Sequence, residues 1–312
     1  MLPHPPILVA DDIGNKTDSG KKRSQAVREA SSSLAWRLKT GIDLLYVEDI
    51  NTFPVKLFGS DSRRLQDWHS KHQKRLEELC KDFPVPARYI LKSGSPPDQI
   101  QKALRSKSPP ELVVVGTRSR KGLQRLLLGR VAEEVIRHSK RPVMVIGPSA
   151  QDKNKNFTDQ KTLKILVATD LRKNSRGAEQ FALSLAKRLG AKVLLLHGLW
   201  DKIRVVREYE LAHEMVLANL NEMLAEIQRE ANESLQQKVS SFNKRGVYCA
   251  YKLEGKAVPP ARAILKEAEQ GYSIVVMGTH GRNVLLSGFF GSTARETILN
   301  AKIPVITVHS GK

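Results

Sequence analysis

The sequence predicts an α/β protein made of two tandem doubly wound domains, each a five-stranded parallel sheet with helices on both faces. Three observations predict it. One order of elements is written twice along the 312 residues. Within each copy, short apolar runs rich in Val, Ile and Leu alternate with stretches of helical periodicity, the pattern of strands buried on both faces and joined by crossover helices. Each copy also sets a glycine-bearing segment between its fourth apolar run and its last helical stretch.

The repeat can be followed residue by residue. ILVADD (Ile7–Asp12) opens the first copy and ILVATD (Ile165–Asp170) the second. LLYVED (Leu44–Asp49) corresponds to LLLHGL (Leu194–Leu199), and LKSGSPPDQI (Leu91–Ile100) to LEGKAVPPARAI (Leu253–Ile264). Residues 116–147 align with 278–309 without a gap, so Gly116 matches Gly278, Gly129 matches Gly291 and Pro142 matches Pro304. A period of about 160 residues lies far above solenoid spacing and marks a duplicated domain. The expected division is a first domain over 1–150, a linker over 151–161 and a second domain over 162–312. The linker lies in SAQDKNKNFTDQK (Ser149–Lys161), which is polar and expected to be exposed and mobile.

Strands are expected near 6–11, 42–48, 86–92, 111–116 and 142–147, and again near 163–169, 192–197, 247–253, 273–278 and 304–309. Gly14–Lys22, polar and with two glycines, reads as a loop inserted after the first strand. In the second copy Ala178, Phe181, Ala182, Leu185 and Leu189 make one apolar helix face. Gly190 suits a left-handed end to that helix, and Lys187 and Arg188 suit the negative end of its dipole. Residues 205–242 read as one long helix or two broken ones, with Leu211, Met215, Ala218, Leu224 and Ile227 as a partial stripe for the core. Val143–Ile146 and Val305–Val308 are apolar edges expected to cover one another.

Composition narrows the function classes. A hydrophobic share of 40% supports packed cores, and no apolar run is long enough to span a bilayer. The opening MLPHPPILVADD has neither a basic leader nor a small-residue cleavage site. Cys80 and Cys249, in non-equivalent positions, fit a reducing cytoplasm, so a cytoplasmic location is expected. A net charge of +20 attracts anions. It is spread over both halves with no nucleic-acid signature beside it, so specific nucleic-acid binding is not expected. His69 and His72 stand three apart on a helical stretch, but no neighbour in sequence completes a metal site.

The second copy carries GTHGRNVLLSGFFGS (Gly278–Ser292), after the apolar run Ser273–Met277 and before STARETILNA. Glycines between a strand and a helix let backbone N–H groups approach an anion, and the helix N-terminus adds unpaired donors and a positive dipole end. The spacing therefore points to a nucleotide-phosphate cradle in the second half.

Together, the duplication, Asp170, His197-Gly198 and Gly278-x2-Gly281-x9-Gly291-Ser292 resemble the universal stress protein family in its tandem form, with the second copy similar to the ATP-binding branch. The resemblance covers nearly the whole chain and implies Rossmann-like domains related to the adenine-nucleotide α-hydrolases. It implies ATP as ligand, with Mg²⁺ accompanying the triphosphate. Carried to this sequence, Ala168, Thr169 and Asp170 would line the ribose, with Asp170 accepting from its hydroxyls. Gly198 would flank the base, and Met277 and Gly278 would offer backbone contacts. Gly281, Gly291, Ser292 and Thr293 would hold the phosphates, while His280 and Arg282 add donors or charge. Each has a plainer use as well. Asp170 could be a turn or N-cap residue, His197 a core histidine, and Gly278 and Gly291 packing positions.

Copy one departs from the motif: Ser119 replaces the second glycine and Arg130 the hydroxyl after Gly129. Arg130 would fill the phosphate pocket or grip a different anion, so copy one is expected not to bind ATP in the family manner. The expected function is a nucleotide-dependent stress regulator in which ATP orders the segment after the fourth strand. A protein partner or a second copy would sense that state. No P-loop or kinase signature is present, so at most slow hydrolysis is expected. The alternatives are a scaffold with vestigial pockets or an adenine-nucleotide hydrolase, which would need a glycine cluster where Thr169–Ser175 stands.

Overall fold

The computed structural model describes residues 4–49, 62–117, 128–151, 162–205, 220–279 and 290–309. The chain divides into two compact units, Met1–Lys161 with Ile298–His309, and Thr162–Thr297.

The first unit contains β1 (Ile7–Ala10), α1 (Asp18–Leu38), β2 (Ile42–Asp49), α2 (Ser62–Lys81), β3 (Ala87–Gly94), α3 (Pro96–Leu104), β4 (Leu112–Gly116), α4 (Arg130–His138) and β5 (Val143–Ile146). Its parallel strands lie in the order β3-β2-β1-β4-β5. The chain moves outward from β1 through β2 to β3, then returns past β1 to β4. With right-handed crossovers, that reversal places helices on both faces and opens a crevice beyond the ends of β1 and β4. The strands are continuous apolar runs because both faces are covered: Ile7, Val9, Val113, Val114, Met144 and Val145 are wholly buried.

The second unit repeats the plan with β6 (Lys164–Ala168), α5 (Arg176–Leu189), β7 (Lys192–Gly198), α6 (Leu220–Lys244), β8 (Cys249–Glu254), α7 (Pro260–Ala268) and β9 (Ile274–Gly278). Its strands run parallel in the order β9-β6-β7-β8. α8 (Ser292–Asn300) follows β9, and β10 (Val305–Val308) is antiparallel to β5, with Val305 opposite Val145 and Thr307 opposite Val143. The two apolar edges therefore do cover one another. Each repeat supplies five strands, and the fold is α/β with Rossmann-like tandem domains and mostly parallel sheets.

One element departs from expectation. Gly14–Lys22 is a loop only as far as Thr17, because α1 begins at Asp18. Thr17 caps it: its hydroxyl accepts from the Gly20 amide at 3.1 Å, while Asn15 Oδ1 accepts from the Thr17 hydroxyl at 2.7 Å. Gly20 serves packing, since a Cβ there would stand 2.3 Å from Asn15 Oδ1. α1 has 21 residues against 14 in α5, so the extra segment is about two helical turns rather than a loop.

α5 ends as expected on Gly190 with φ 62°, with Lys187 and Arg188 in its last turn. Leu224 and Ile227 of α6 pack on a buried cluster of Leu199, Ile203 and Ala231, so the stripe serves the core. Leu211, Met215 and Ala218 lie outside the described residues, as does nearly all of the linker. No described helix is long and apolar enough to cross a membrane.

Candidate functional site

The second unit's crevice lies where β6 and β9 part. Register sets Ala168 beside Met277 on one side and Leu196 on the other, so Asp170, Gly198 and Gly278 emerge from neighbouring strand ends. Gly291 joins them: its amide donates to the Thr279 carbonyl at 3.0 Å, and its own carbonyl accepts from the Arg295 amide at the start of α8. Ser292 and Thr293 occupy the first turn of that helix, with Ser292 exposed. His280, Gly281 and Arg282 lie outside the described residues.

The turn after β6 is tightly held. The Thr169 amide donates to Leu196 O, and His197 Nδ1 donates to Thr169 O at 2.8 Å. His197 is buried and satisfied, a core histidine in that role. The Thr169 hydroxyl donates to Glu179 Oε1 at 2.5 Å and accepts from the Leu171 amide at 3.0 Å. Lys238 of α6 donates to the other Glu179 oxygen at 2.6 Å. Leu171 adopts φ 64°, a left-handed conformation that costs a β-carbon-bearing residue about 1 kcal/mol or more. The surrounding bonds and the packing of its side chain on the Leu199 cluster hold it there.

Asp170 both builds this turn and exceeds it. Oδ1 accepts from the Ser175 hydroxyl at 2.6 Å and from the Arg172 amide at 2.9 Å, while the Asp170 amide donates to Ser175 Oγ. Oδ2 is buried with no hydrogen-bond partner among the described residues. Buried carboxylate oxygens are normally partnered, so this atom is an acceptor left unsatisfied at the strand end. Beside it, a Cβ on Gly198 would meet no atom of the described residues within 4 Å, so among them the space over that strand end is open.

The first unit has the same frame with different side chains. A cavity of about 820 Å³ lies over the ends of β1 and β4, lined in part by Asp12, Arg23, Tyr46, Gly116 and Gly129. Asp12 takes the place of Asp170, but its Oδ2 accepts from Arg23 Nη2 at 3.0 Å and from Asn15 Nδ2 at 3.1 Å. Arg23 is only 7% exposed, and a Cβ on Gly116 would stand 2.7 Å from its Cγ. Arg130 does not fill the phosphate pocket: its side chain is 83% exposed, 3.9 Å from Glu134. One turn along a helix, Glu134 draws the cation outward. Ser119 lies outside the described residues.

Two neighbours in this unit are shifted by burial. Asp11, against Arg28, has its carboxyl raised because desolvation outweighs the cation's pull. Burial, then the carboxylates of Asp12, Glu48 and Asp49, raises the Tyr46 hydroxyl, so it stays protonated at neutral pH. His69 and His72 gain a neighbour the sequence did not reveal. Glu48 of β2 bonds His72 Nδ1 at 3.0 Å and His69 Nδ1 at 3.2 Å, with Ser93 on the same carboxylate. Among the described residues no group of three His, Cys, Asp or Glu is placed to hold a metal ion.

Ser175, Glu179 and Lys238 were not singled out in sequence. Ser175 had a signal, since Ser24 stands at the same distance back from the left-handed residue that ends the first helix of each unit.

The universal stress protein family model matches residues 5–147 and 162–309. Curated universal stress proteins of Mycobacterium tuberculosis and Mycobacterium bovis are 28% identical over 187 residues, covering 60% of this chain and 58% of theirs. The matched part of this chain thus spans less than two thirds of those relatives' length. The crystal structure of a universal stress protein from Archaeoglobus fulgidus shares the fold, with a TM-score of 0.62 and 21% identity over 98% of both chains. A functionally unknown protein from Pseudomonas aeruginosa does so with a TM-score of 0.56 and 13% identity over 99% of this chain and 94% of its own. With a family domain matched twice over most of its length and the duplicated crevice just described, the chain belongs to the universal stress protein family.

Proposed function

We propose that this chain is a nucleotide-dependent regulator in the stress response that binds ATP in its second domain, 162–312, with 1–150 as a partner domain joined through 151–161. The observation that carries this is the buried, unpartnered Oδ2 of Asp170. A ribose hydroxyl is a neutral donor of the right size to satisfy it, and leaving such an acceptor unpaired costs about 1–3 kcal/mol. The open space over Gly198 suits the flat base, and Ala168, Thr169, Met277 and Gly278 supply main chain around it. Gly291, Ser292 and Thr293 open α8, where a helix start favours phosphate. Gly281, His280 and Arg282 complete the proposed phosphate contacts by sequence alone.

Mg²⁺ would arrive with the triphosphate and offset its charge, since no described carboxylate cluster is set to hold it. The sequence carries no P-loop or kinase signature, so hydrolysis is at most slow and the bound state itself is the signal. A protein partner or a second copy of the chain would sense it, in the cytoplasm.

The test is to extract the purified full-length chain, identify any carried nucleotide by mass spectrometry, and measure ATP affinity of the parent, Asp170→Ala and Gly291→Val. Bound adenine nucleotide in the parent, with ATP affinity lowered at least about tenfold in both variants, is expected. Parent-like affinity in both variants would place the site elsewhere.

A further inference from the structure

The two crevices share a backbone frame, and in the first a buried cation, Arg23, stands on the carboxylate at the strand end. Counted back equally from the left-handed Lys39 and Gly190 that end α1 and α5, Arg23 stands where the second unit has Asn174. In the second unit that residue lies in a short 3-10 turn over Lys173–Ser175, whereas the longer α1 makes Arg23 helical. The helical path lays the Arg23 stem across Gly116, the counterpart of Gly278, and brings its guanidinium onto the Asp12 carboxylate. Ser24, the counterpart of Ser175, bonds the Asp12 carbonyl at 3.4 Å and the Asp11 carboxyl instead of the strand-end carboxylate.

We infer that Arg23 is a built-in occupant of the first unit's crevice and the residue that denies it an adenine ribonucleoside. Its guanidinium and Asn15 both bond Oδ2 of the carboxylate that a ribose would need, and its stem covers the glycine that would admit the ligand against the strand end. The cavity of about 820 Å³ that remains is ample for a nucleoside, so the bonded carboxylate and the covered glycine, not the overall volume, close the site. The charge is retained there because it is paired; an unpaired buried guanidinium would be strongly unfavourable.

The inference rests on the view that these strand ends take adenine ribonucleosides, as proposed for the second unit. The test therefore counts sites. Equilibrium dialysis with AMP, whose single phosphate asks little of the altered glycine motif, is run on the full chain, on Arg23→Asn, which copies Asn174, and on Arg23→Asn with Asp12→Ala. ATP is measured on the parent in parallel, and circular dichroism melts check that each variant folds. Arg23→Asn is expected to gain one AMP site per chain over the parent, and the double variant to lose it. Arg23→Met, which keeps the stem without the charge, is expected to gain less. A folded Arg23→Asn variant with no added site overturns the inference, whatever the parent binds. A parent that binds no ATP beside a variant that gains an AMP site overturns the second-unit proposal and leaves this one standing.

Discussion

At the scale of single residues, Asp12 and Asp170 show how neighbours decide the chemistry of one carboxylate. Both follow equivalent strands, yet one is neutralised by a guanidinium and the other keeps a buried oxygen unpartnered. Asp170→Ala is expected to weaken ATP binding about tenfold or more, the value of one hydrogen bond to a charged group at ~1.5–3 kcal/mol, read by calorimetric titration. Cys249 illustrates what burial alone does to a thiol. Its thiol is pushed up to about 12 by desolvation alone. In the native chain at pH 8 it should resist a disulfide reagent that labels it rapidly in denaturant. The fold holds the protonated form, so this contribution to stability is full below the ordinary value of 9.0 and falls away as pH rises through about 12.

At the scale of elements, end chemistry determines more than composition does. Thr17 and Asn15 turn a polar, glycine-bearing stretch into the start of a helix, and Thr17→Ala should cost about 1 kcal/mol in urea unfolding, as loss of an N-cap does. Gly147 follows β5, where a Cβ would lie 2.0 Å from the Ile298 carbonyl oxygen. Backbone cannot yield as a flexible side chain can. Gly147→Ala should therefore lower the Tm by several degrees, ~2 kcal/mol or more by the range for overpacking. A melt within a degree of the parent would show that α8 can move aside.

At the scale of the molecule, the last strand of the chain is packed with the first unit: β10 pairs with β5, and Ile298–His309 cluster there. Ending the chain at Thr297 would strip β5 of an edge partner and expose Val143 and Val145 backbone that is now bonded. The expected outcome is faster amide exchange in β5 and a lower melting temperature for the first unit. Unchanged exchange in β5 would mean that the pairing contributes little.

The positions of all ten strands along the chain could be read from Val, Ile and Leu runs and their repeat, because strands covered on both faces must be apolar throughout and that requirement is local. The glycine spacing and Asp170 were legible for the same reason: strand ends and helix starts are marked by the residues beside them. The helical start at Asp18, Glu48 reaching His69 and His72, and the Lys238–Glu179–Thr169 chain were not legible. Each depends on side chains brought together from distant positions. Copy one shows the division most clearly. Sequence marked its motif as altered and pointed to Arg130, but only the folded chain set Arg130 in solvent and Arg23 on Asp12. Where a long side chain ends up is decided by helix length and by the charge it meets across the crevice, and neither is written at its own position.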